Sequence, residues 1–424
     1  MKSSCILSFA CLAIMGGLLL TADGFAVDLD KISIDGQVRL HSEFDRKLLS
    51  YYRHHRVFHD LRTRLGARVD PTDWTFVYLQ LQNSRRLGVP SSGDLTDSAV
   101  VTMHQAYFEI RDLIFRDIRL RAGRFEMVYG NQRVFGSDGW GNVGRIWDGG
   151  RLSYAGDILR VDGFYLKRKE VNAYDKNRDF DIMGVYSMIP PVGLGLFWFY
   201  ELDAADYGYR EDQVRRHNLG WFYQSRSPNR ALDVTAQGNY QWGRRYVALY
   251  PQNNVQDISA IMLNGELGLS FFGRLPGRAK IGVDYTSGDN PFDSSTVETY
   301  SAYSNDYYSY HPFQGYMDLF SDSPVHGVVD IYTGVQFDPD QDWLAAVDIH
   351  YFRAADYYLI GHVGSGFTKD LGTEIDLTSE YESIRGAVFT VGFSMFFPQG
   401  RYAQHLAVEK HTALWGYLMA TVNF

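Results

Sequence analysis

Short segments in which apolar and polar residues strictly alternate run through most of the chain, and they constrain its fold more than any other feature. Ala279, Ile281, Val283 and Tyr285 stand against Lys280, Gly282, Asp284 and Thr286. Val329, Ile331, Thr333, Val335 and Phe337 stand against Asp330, Tyr332, Gly334 and Gln336. Alternation with period two gives a strand one apolar and one polar face. A helix would need apolar residues at i, i+3 and i+4, and no long window supplies them. About eighteen such segments begin near residues 32, 57, 74, 100, 117, 149, 157, 180, 194, 215, 232, 259, 278, 328, 342, 372, 387 and 411. Each is about ten residues long, the length of a transmembrane β-strand.

The connections between segments alternate in length. Tight turns fall at Asp70-Pro71-Thr72-Asp73, Pro190-Pro191-Val192-Gly193 and Asp338-Pro339-Asp340-Gln341, among others. Long polar loops are expected near 84–99, 129–148, 203–214, 245–258, 288–327, 354–371 and 398–410. In an up-and-down barrel, successive connections sit at opposite rims, and outer-membrane barrels keep periplasmic turns short and external loops long. A soluble sandwich has no reason to keep that alternation. Closure also removes the edges that so many apolar strands would otherwise expose. The expected fold is therefore all-β: a transmembrane antiparallel up-and-down barrel of about 18 strands.

The N-terminus reads as a secretory signal, with Lys2 before an apolar Ile6–Leu20 run and Gly24-Phe25-Ala26 at its end. Residues 1–26 are expected to be cleaved, with a second possible site after Ala22, leaving 27–424 as the barrel. Cys5 and Cys11 both lie in the signal, so the mature chain holds neither a disulfide nor a cysteine-ligated metal. No later apolar run approaches the ~20 residues of a transmembrane helix. Aromatic residues make up 15% of the chain, which excludes a disordered polypeptide. Trp74, Tyr78, Trp198, Tyr200, Trp221, Tyr223, Trp242, Trp343, Trp415 and Tyr417 suit aromatic girdles near strand ends. The final segment places Leu414, Gly416, Leu418, Ala420, Val422 and Phe424 on one face and ends on an aromatic residue, as outer-membrane barrels do.

Charge is distributed unevenly. Residues 31–170 hold about two dozen Lys and Arg against about 17 acids, although the whole chain carries -9. Arg39, Arg62, Arg64, Arg68, Arg119 and Arg121 share the polar-face parity of their strands, and a bulge at Gly123 would add Arg124. They are expected to face the lumen, since charge on the lipid face costs ~2–4 kcal/mol at mid-bilayer. Arg133, Arg145 and Arg151 sit in or beside a Gly-rich loop, Gly136 to Gly150, that could fold inward. Arginine suits a path for carboxylates because its planar fork pairs with them while its charge is weakly hydrated. The alternative is that these side chains pair with Glu43, Glu109, Glu126 and Asp148 and only hydrate the lumen. The later wall is acidic: Asp284, Asp330, Asp348, Glu374, Asp376 and Glu380.

Three stretches carry a family resemblance. The first is G-R-F-E-M-V-Y-G-N-Q-R-V-F-G (Gly123 to Gly136) followed by W-G-N-V-G-R-I-W-D-G-G-R-L (Trp140 to Leu152). The second is Ser287-Gly288-Asp289 with H-P-F-Q-G-Y-M-D-L-F (His311 to Phe320), and the third is L-G-T-E-I-D-L (Leu371 to Leu377). Together, in this order, they resemble the bacterial alginate-export porin family. The resemblance implies a monomeric 18-stranded outer-membrane barrel that passes the polyuronate alginate through an arginine-rich pore. The alginate exporter is plugged by a long periplasmic loop late in the chain, whereas the turn near Tyr381 to Gly386 is short here. Any plug should come from Gly136–Gly150 or from 288–327, both external.

Other chemistry is sparse. His54, His55 and His59 lack clear ligand geometry and read as surface histidines. Asp289, Asp293 and Asp306 could suggest Ca²⁺ but read better as solvated loop acids. Ser287 lacks the strand-to-helix context of a nucleophile elbow. No cofactor is implied. The expected function is passive passage of a hydrophilic, anionic poly- or oligosaccharide across the outer membrane. A general or uptake porin for small solutes is the first alternative, and a barrel enzyme or surface adhesion protein the second. The implied partners are outer-membrane lipid and lipopolysaccharide, the anionic saccharide and a periplasmic secretion partner; nucleic acid is not among them.

Overall fold

The computed structural model describes residues 29–47, 55–88, 98–169, 172–173, 176–177, 179–204, 214–227, 230–249, 252–289, 299–305, 307–309, 311, 313–321, 324–359, 367–384, 386–400, 402 and 412–424. The signal, with Cys5 and Cys11, lies outside the described residues, as do His54, Asp293 and Asp306.

Eighteen long strands build the wall. They are β1 (Ile32–Arg46), β2 (Arg56–Thr72), β3 (Thr75–Arg86), β4 (Ser98–Arg111), β5 (Ile118–Phe125) and β6 (Trp147–Ala155). Next come β7 (Arg160–Lys169), β8 (Phe180–Ile189), β9 (Leu194–Asp203), β10 (Val214–Arg226), β11 (Leu232–Leu249) and β12 (Gln252–Phe271). The last six are β13 (Gly277–Thr286), β14 (Val328–Phe337), β15 (Trp343–Leu359), β16 (Phe367–Ile384), β17 (Ala387–Pro398) and β18 (Ala413–Asn423). Each strand pairs antiparallel with its neighbours in sequence. β1 closes onto β18 in register from Gln37↔Asn423 to Arg46↔Leu414. The C-terminal residue completes the seam, with mutual backbone hydrogen bonds between Gly36 and Phe424 at 2.8 and 3.0 Å.

Burial is inverted relative to a protein that folds in water. Leu219, Leu263, Leu267, Ile281, Ile331 and Leu418 are exposed, whereas Asn218, Gln241, Asp330 and Glu374 are buried. The alternation explains this, since a closed sheet puts one face of every strand outside and the other in the lumen. An apolar exterior of this extent requires lipid.

The first and last described residues, Leu29 and Phe424, lie at the rim formed by short turns, such as 73–74 and 190–193. Two of the expected long loops prove to be mostly strand. β11 and β12 run on to Leu249 and from Gln252, replacing the loop at 245–258, and β15 and β16 extend to Leu359 and from Phe367, shortening that at 354–371. Their polar residues misled the reading because these hairpins continue beyond the apolar band. The girdle assignment also needs correction. Trp74, Trp198, Trp221 and Trp343 are exposed outside, but Trp415 and Tyr417 are buried on the lumen face. Tyr78 also turns inward and donates to Asp35 (3.0 Å).

Candidate functional site: two inward loops and an arginine wall

The lumen is crossed by two loops, 126–146 after β5 and the described residues of 287–327 after β13. Apolar residues inside the lumen have nowhere to go but onto each other. Phe125, Met127, Val134 and Phe135 from the first loop and its root pack on Phe164, Ile182, Phe197 and Phe199 of the wall and on Tyr303 and Tyr307 of the second loop. The second loop adds Thr299–Tyr300 parallel to β12. It then buries Met317 and Phe320 against Phe352, Leu371, Phe396 and Trp415. The loops also bond to each other: Gly136 N donates to Tyr307 O (2.8 Å), Ser309 N to Gln132 O (3.0 Å) and Asn305 Nδ2 to Val134 O (2.8 Å). Trp140, at the tip of the first loop, stacks on His311 of the second (centroids 3.9 Å apart) and meets His41 edge-on.

The arginines divide by role. Arg39 and Arg62 hold the first loop's tip through the carbonyls of Gly139 and Gly141. Arg64 reaches Glu126 (3.1 Å) and Gln82 (2.6 Å) at the loop's root. Burial alone would raise the Glu126 carboxyl, but a hydrogen bond with His104 and the Arg64 charge outweigh it and hold the group below its usual range. Burial and the neighbouring Asp162 charge push the Tyr129 hydroxyl well above its usual range. Arg133 pairs with Asp284 across the lumen (2.6 Å) and lies 4.0 Å over the Phe313 ring.

Toward the short-turn rim, Arg121 pairs with Glu109 (2.7 Å) and Arg151 with Asp162 (3.7 Å), each guanidinium side chain keeping 21% of its surface. Arg119 is exposed, and the parity of β5 puts it on the lumen side with Arg121 and Phe125. Arg68 pairs with Asp70 (2.7 Å). Arg111, which the sequence reading passed over, joins this group at 3.7 Å from Glu109. Its parity with Glu109 on β4 was the available signal.

Two expected pore residues are placed elsewhere. Arg124 stands with Leu120 and Ala122 on the outer face, where it pairs with Asp148 (2.6 Å). Gly123 does take φ +128°, but the pairing of β5 with β4 and β6 runs through it without a register shift. There is no bulge to turn Arg124 inward. Arg145 is buried, and Nη1 donates to Gly136 O (3.2 Å) and Tyr308 O (2.7 Å). It staples the two loops rather than lining a path. Of the proposed counter-ions, Glu109 and Glu126 do pair with lumen arginines, whereas Glu43 accepts from Trp415 Nε1 (2.9 Å). The acidic wall is largely withdrawn from solvent: Asp330, Asp376 and Glu374 are at most 1% exposed. Met317 N of the second loop caps Glu374 Oε1 (2.9 Å). His55 stacks on Phe44 and His59 bonds Ser42 Oγ (2.8 Å).

Solved structures share this architecture. The chain is similar to OccK9 (OpdG) of Pseudomonas aeruginosa, with a TM-score of 0.60 and 10% identity over 93% of this chain and 99% of that one. The outer membrane protein opdK of the same organism gives 0.57 and 9%, over 95% and 100%. OccK2 (OpdF), solved in complex with glucuronate, gives 0.54 and 12%, over 95% and 99%. No curated protein matches the chain. The alginate export family matches residues 30–405, which contain all the inward loops and the arginine wall. This chain belongs to the alginate export family, as a β-barrel channel of the outer membrane through which solutes pass passively.

Proposed function

We propose that the channel passes an anionic saccharide and that Arg111, Arg119, Arg121 and Arg151 form its path at the periplasmic mouth. One observation carries this reading: lumen arginines face each other across the sheet. Arg39 opposes Arg62, Arg111 opposes Arg119, and Arg121 opposes Arg151. Like charges directly opposite each other destabilise a sheet by up to about 1 kcal/mol per pair. Pairs at three places between β1 and β6 work against folding and in favour of a strong positive field in the lumen. Glu109, Asp70 and Asp162 offset only part of the charge near the mouth.

The burial of the acidic wall supports the same reading. Asp330, Glu374 and Asp376 lie behind the second loop and compete little with the arginines for the solute. The glucuronate in OccK2 is a uronate, the class of sugar acid of which alginate is built. A periplasmic partner that delivers the polymer, and lipopolysaccharide around the wall, complete this picture.

Reversal potentials in a salt gradient across a planar bilayer test the proposal. The native channel should prefer chloride to potassium. Arg111→Glu, Arg119→Glu, Arg121→Glu and Arg151→Glu should each lower that preference, with the combined variant favouring cations. A native channel without anion preference, or a combined variant with an unchanged reversal potential, would sink it.

A further inference from the structure

We propose that the lumen contains a binding subsite for one neutral, pyranose-sized sugar ring, in the cavity between the tip of the second inward loop and the wall of β10–β15. The inference rests on the barrel being a solute channel, and on the saccharide part of the proposed function, but not on anion preference.

The cavity has a volume of about 220 Å³. That is the scale of a single sugar ring rather than of a polymer segment. Its walls combine the two surfaces that a pyranose presents. Phe313, Tyr316 and Tyr332 supply aromatic faces for the ring's C–H side. Phe313 is fixed from behind, because the Arg133 guanidinium lies 4.0 Å over its ring. Gln224 and Gln314 supply amides that donate to and accept from hydroxyls.

The charges around the cavity are already matched. Arg133 pairs with Asp284 (2.6 Å), Lys280 with Asp348 (2.8 Å) and Arg278 with Glu266 (2.6 Å). There is no cationic surplus to attract a carboxylate, in contrast to the β4–β6 wall. Carboxylates in such pairs retain lone pairs for hydroxyl donors.

The loop is built to hold this geometry. Gln314 takes φ +60° and Gly315 φ +83°, two left-handed residues in a row immediately after Phe313. An amino acid with a side chain is uncommon there and persists only where its surroundings impose it. A Cβ on Gly315 would stand 2.6 Å from Glu374 Oε1, the atom that also accepts from Met317 N. The turn is thereby pinned to β16, and it presents Phe313 and Gln314 to the cavity.

Single-channel recordings of the full-length barrel with maltotriose or trigalacturonate added at millimolar concentration test the subsite. Maltotriose should produce resolved current blocks. Phe313→Ala should shorten their dwell time about ten-fold. Thr235→Trp, which fills the cavity from β11 without touching the loop, should abolish them. Heat-modifiable mobility on a gel confirms that each variant is folded. The proposal is overturned if maltotriose does not block, or if its dwell time in either variant is unchanged from that in the native barrel. Trigalacturonate blocks that survive both substitutions while maltotriose blocks are absent would assign saccharide binding to the arginine wall alone. Failure of the anion-path reading is scored separately, by the reversal potentials.

Discussion

Arg39 and Arg62 stand directly opposite each other on β1 and β2, and both guanidinium groups grip the carbonyls of Gly139 and Gly141. Two like charges thus share one pair of acceptors at the tip of the loop that crosses the lumen. Hydrogen bonds from charged donors contribute about 1.5–3 kcal/mol each. Removing one arginine also relieves the repulsion and leaves the other in place, so Arg39→Met or Arg62→Met should loosen the tip only slightly. The double variant should release it. Single-channel conductance and current noise should rise markedly in the double variant and little in either single one; a quiet double variant would contradict this clamp.

Arg145 joins the two loops through Gly136 O and Tyr308 O. Arg145→Met should leave the wall intact while costing the loop pair about 1.5–3 kcal/mol or more. Limited proteolysis from the external side should then cut within 126–146 and 287–327 at least ten-fold faster than in the native barrel. Equal cutting rates would show that the apolar contacts of Phe135 and Tyr307 suffice alone.

The root of the first loop is tied by Glu126 to Arg64 and His104. The Glu126 carboxyl lies below its usual range in the folded barrel, so this tie is fully present above the unfolded carboxylate pKa. It is lost as pH falls through the lower folded value. Conductance should therefore stay constant from pH 7 to about 5 and change only below about 4. Glu126→Gln should show the acid behaviour at pH 7. An acid transition unaltered in that variant would place the titrating group elsewhere.

Gly123 takes φ +128°, and a Cβ there would meet Ala106 O at 2.3 Å on the neighbouring strand. Gly123→Ala should destabilise the barrel by about 1–3 kcal/mol. Gly265→Ala is the control, since a Cβ at Gly265 meets nothing within 4 Å. Urea unfolding followed by gel mobility should separate the two; equal midpoints would remove the constraint at Gly123.

Arg124 and Asp148 form their ion pair on the outer face, at 2.6 Å. Arg124→Leu leaves a carboxylate facing lipid, whereas Arg124→Leu with Asp148→Leu leaves none. The double variant should recover most of the stability lost by the single one, a coupling of about 0.5–3 kcal/mol. Neither should move the reversal potential. A selectivity change as large as that of Arg121→Glu would mean that Arg124 reaches the lumen.

Strand positions were legible because alternation is a property of adjacent residues. Segments such as Val329–Phe337 and Ala279–Tyr285 need no partner to declare their two faces. The same parity put Arg39, Arg62 and Arg121 inside, and it would have found Arg111. Parity failed at Arg124, where a glycine suggested a bulge that the pairing does not contain. It was also not applied to Trp415 and Tyr417, which girdle statistics had placed outside. The role of Arg145 was hidden because its partner, Tyr308, is 163 residues away.

The amino-acid order thus determined the barrel, the strand number and the direction of the two faces, since all of these follow from local period, local turn chemistry and segment length. Tertiary structure alone decided which arginines are spent on Gly139, Gly141 and Tyr308 and which pair with Glu109, Asp70 and Asp162 toward the short-turn rim. It also decided that Asp330, Glu374 and Asp376 are covered and that Phe313 is clamped against Arg133. The reason is physical: a hydrogen bond or an ion pair depends on distances across the lumen, and those are set by closing eighteen strands and folding two loops between them.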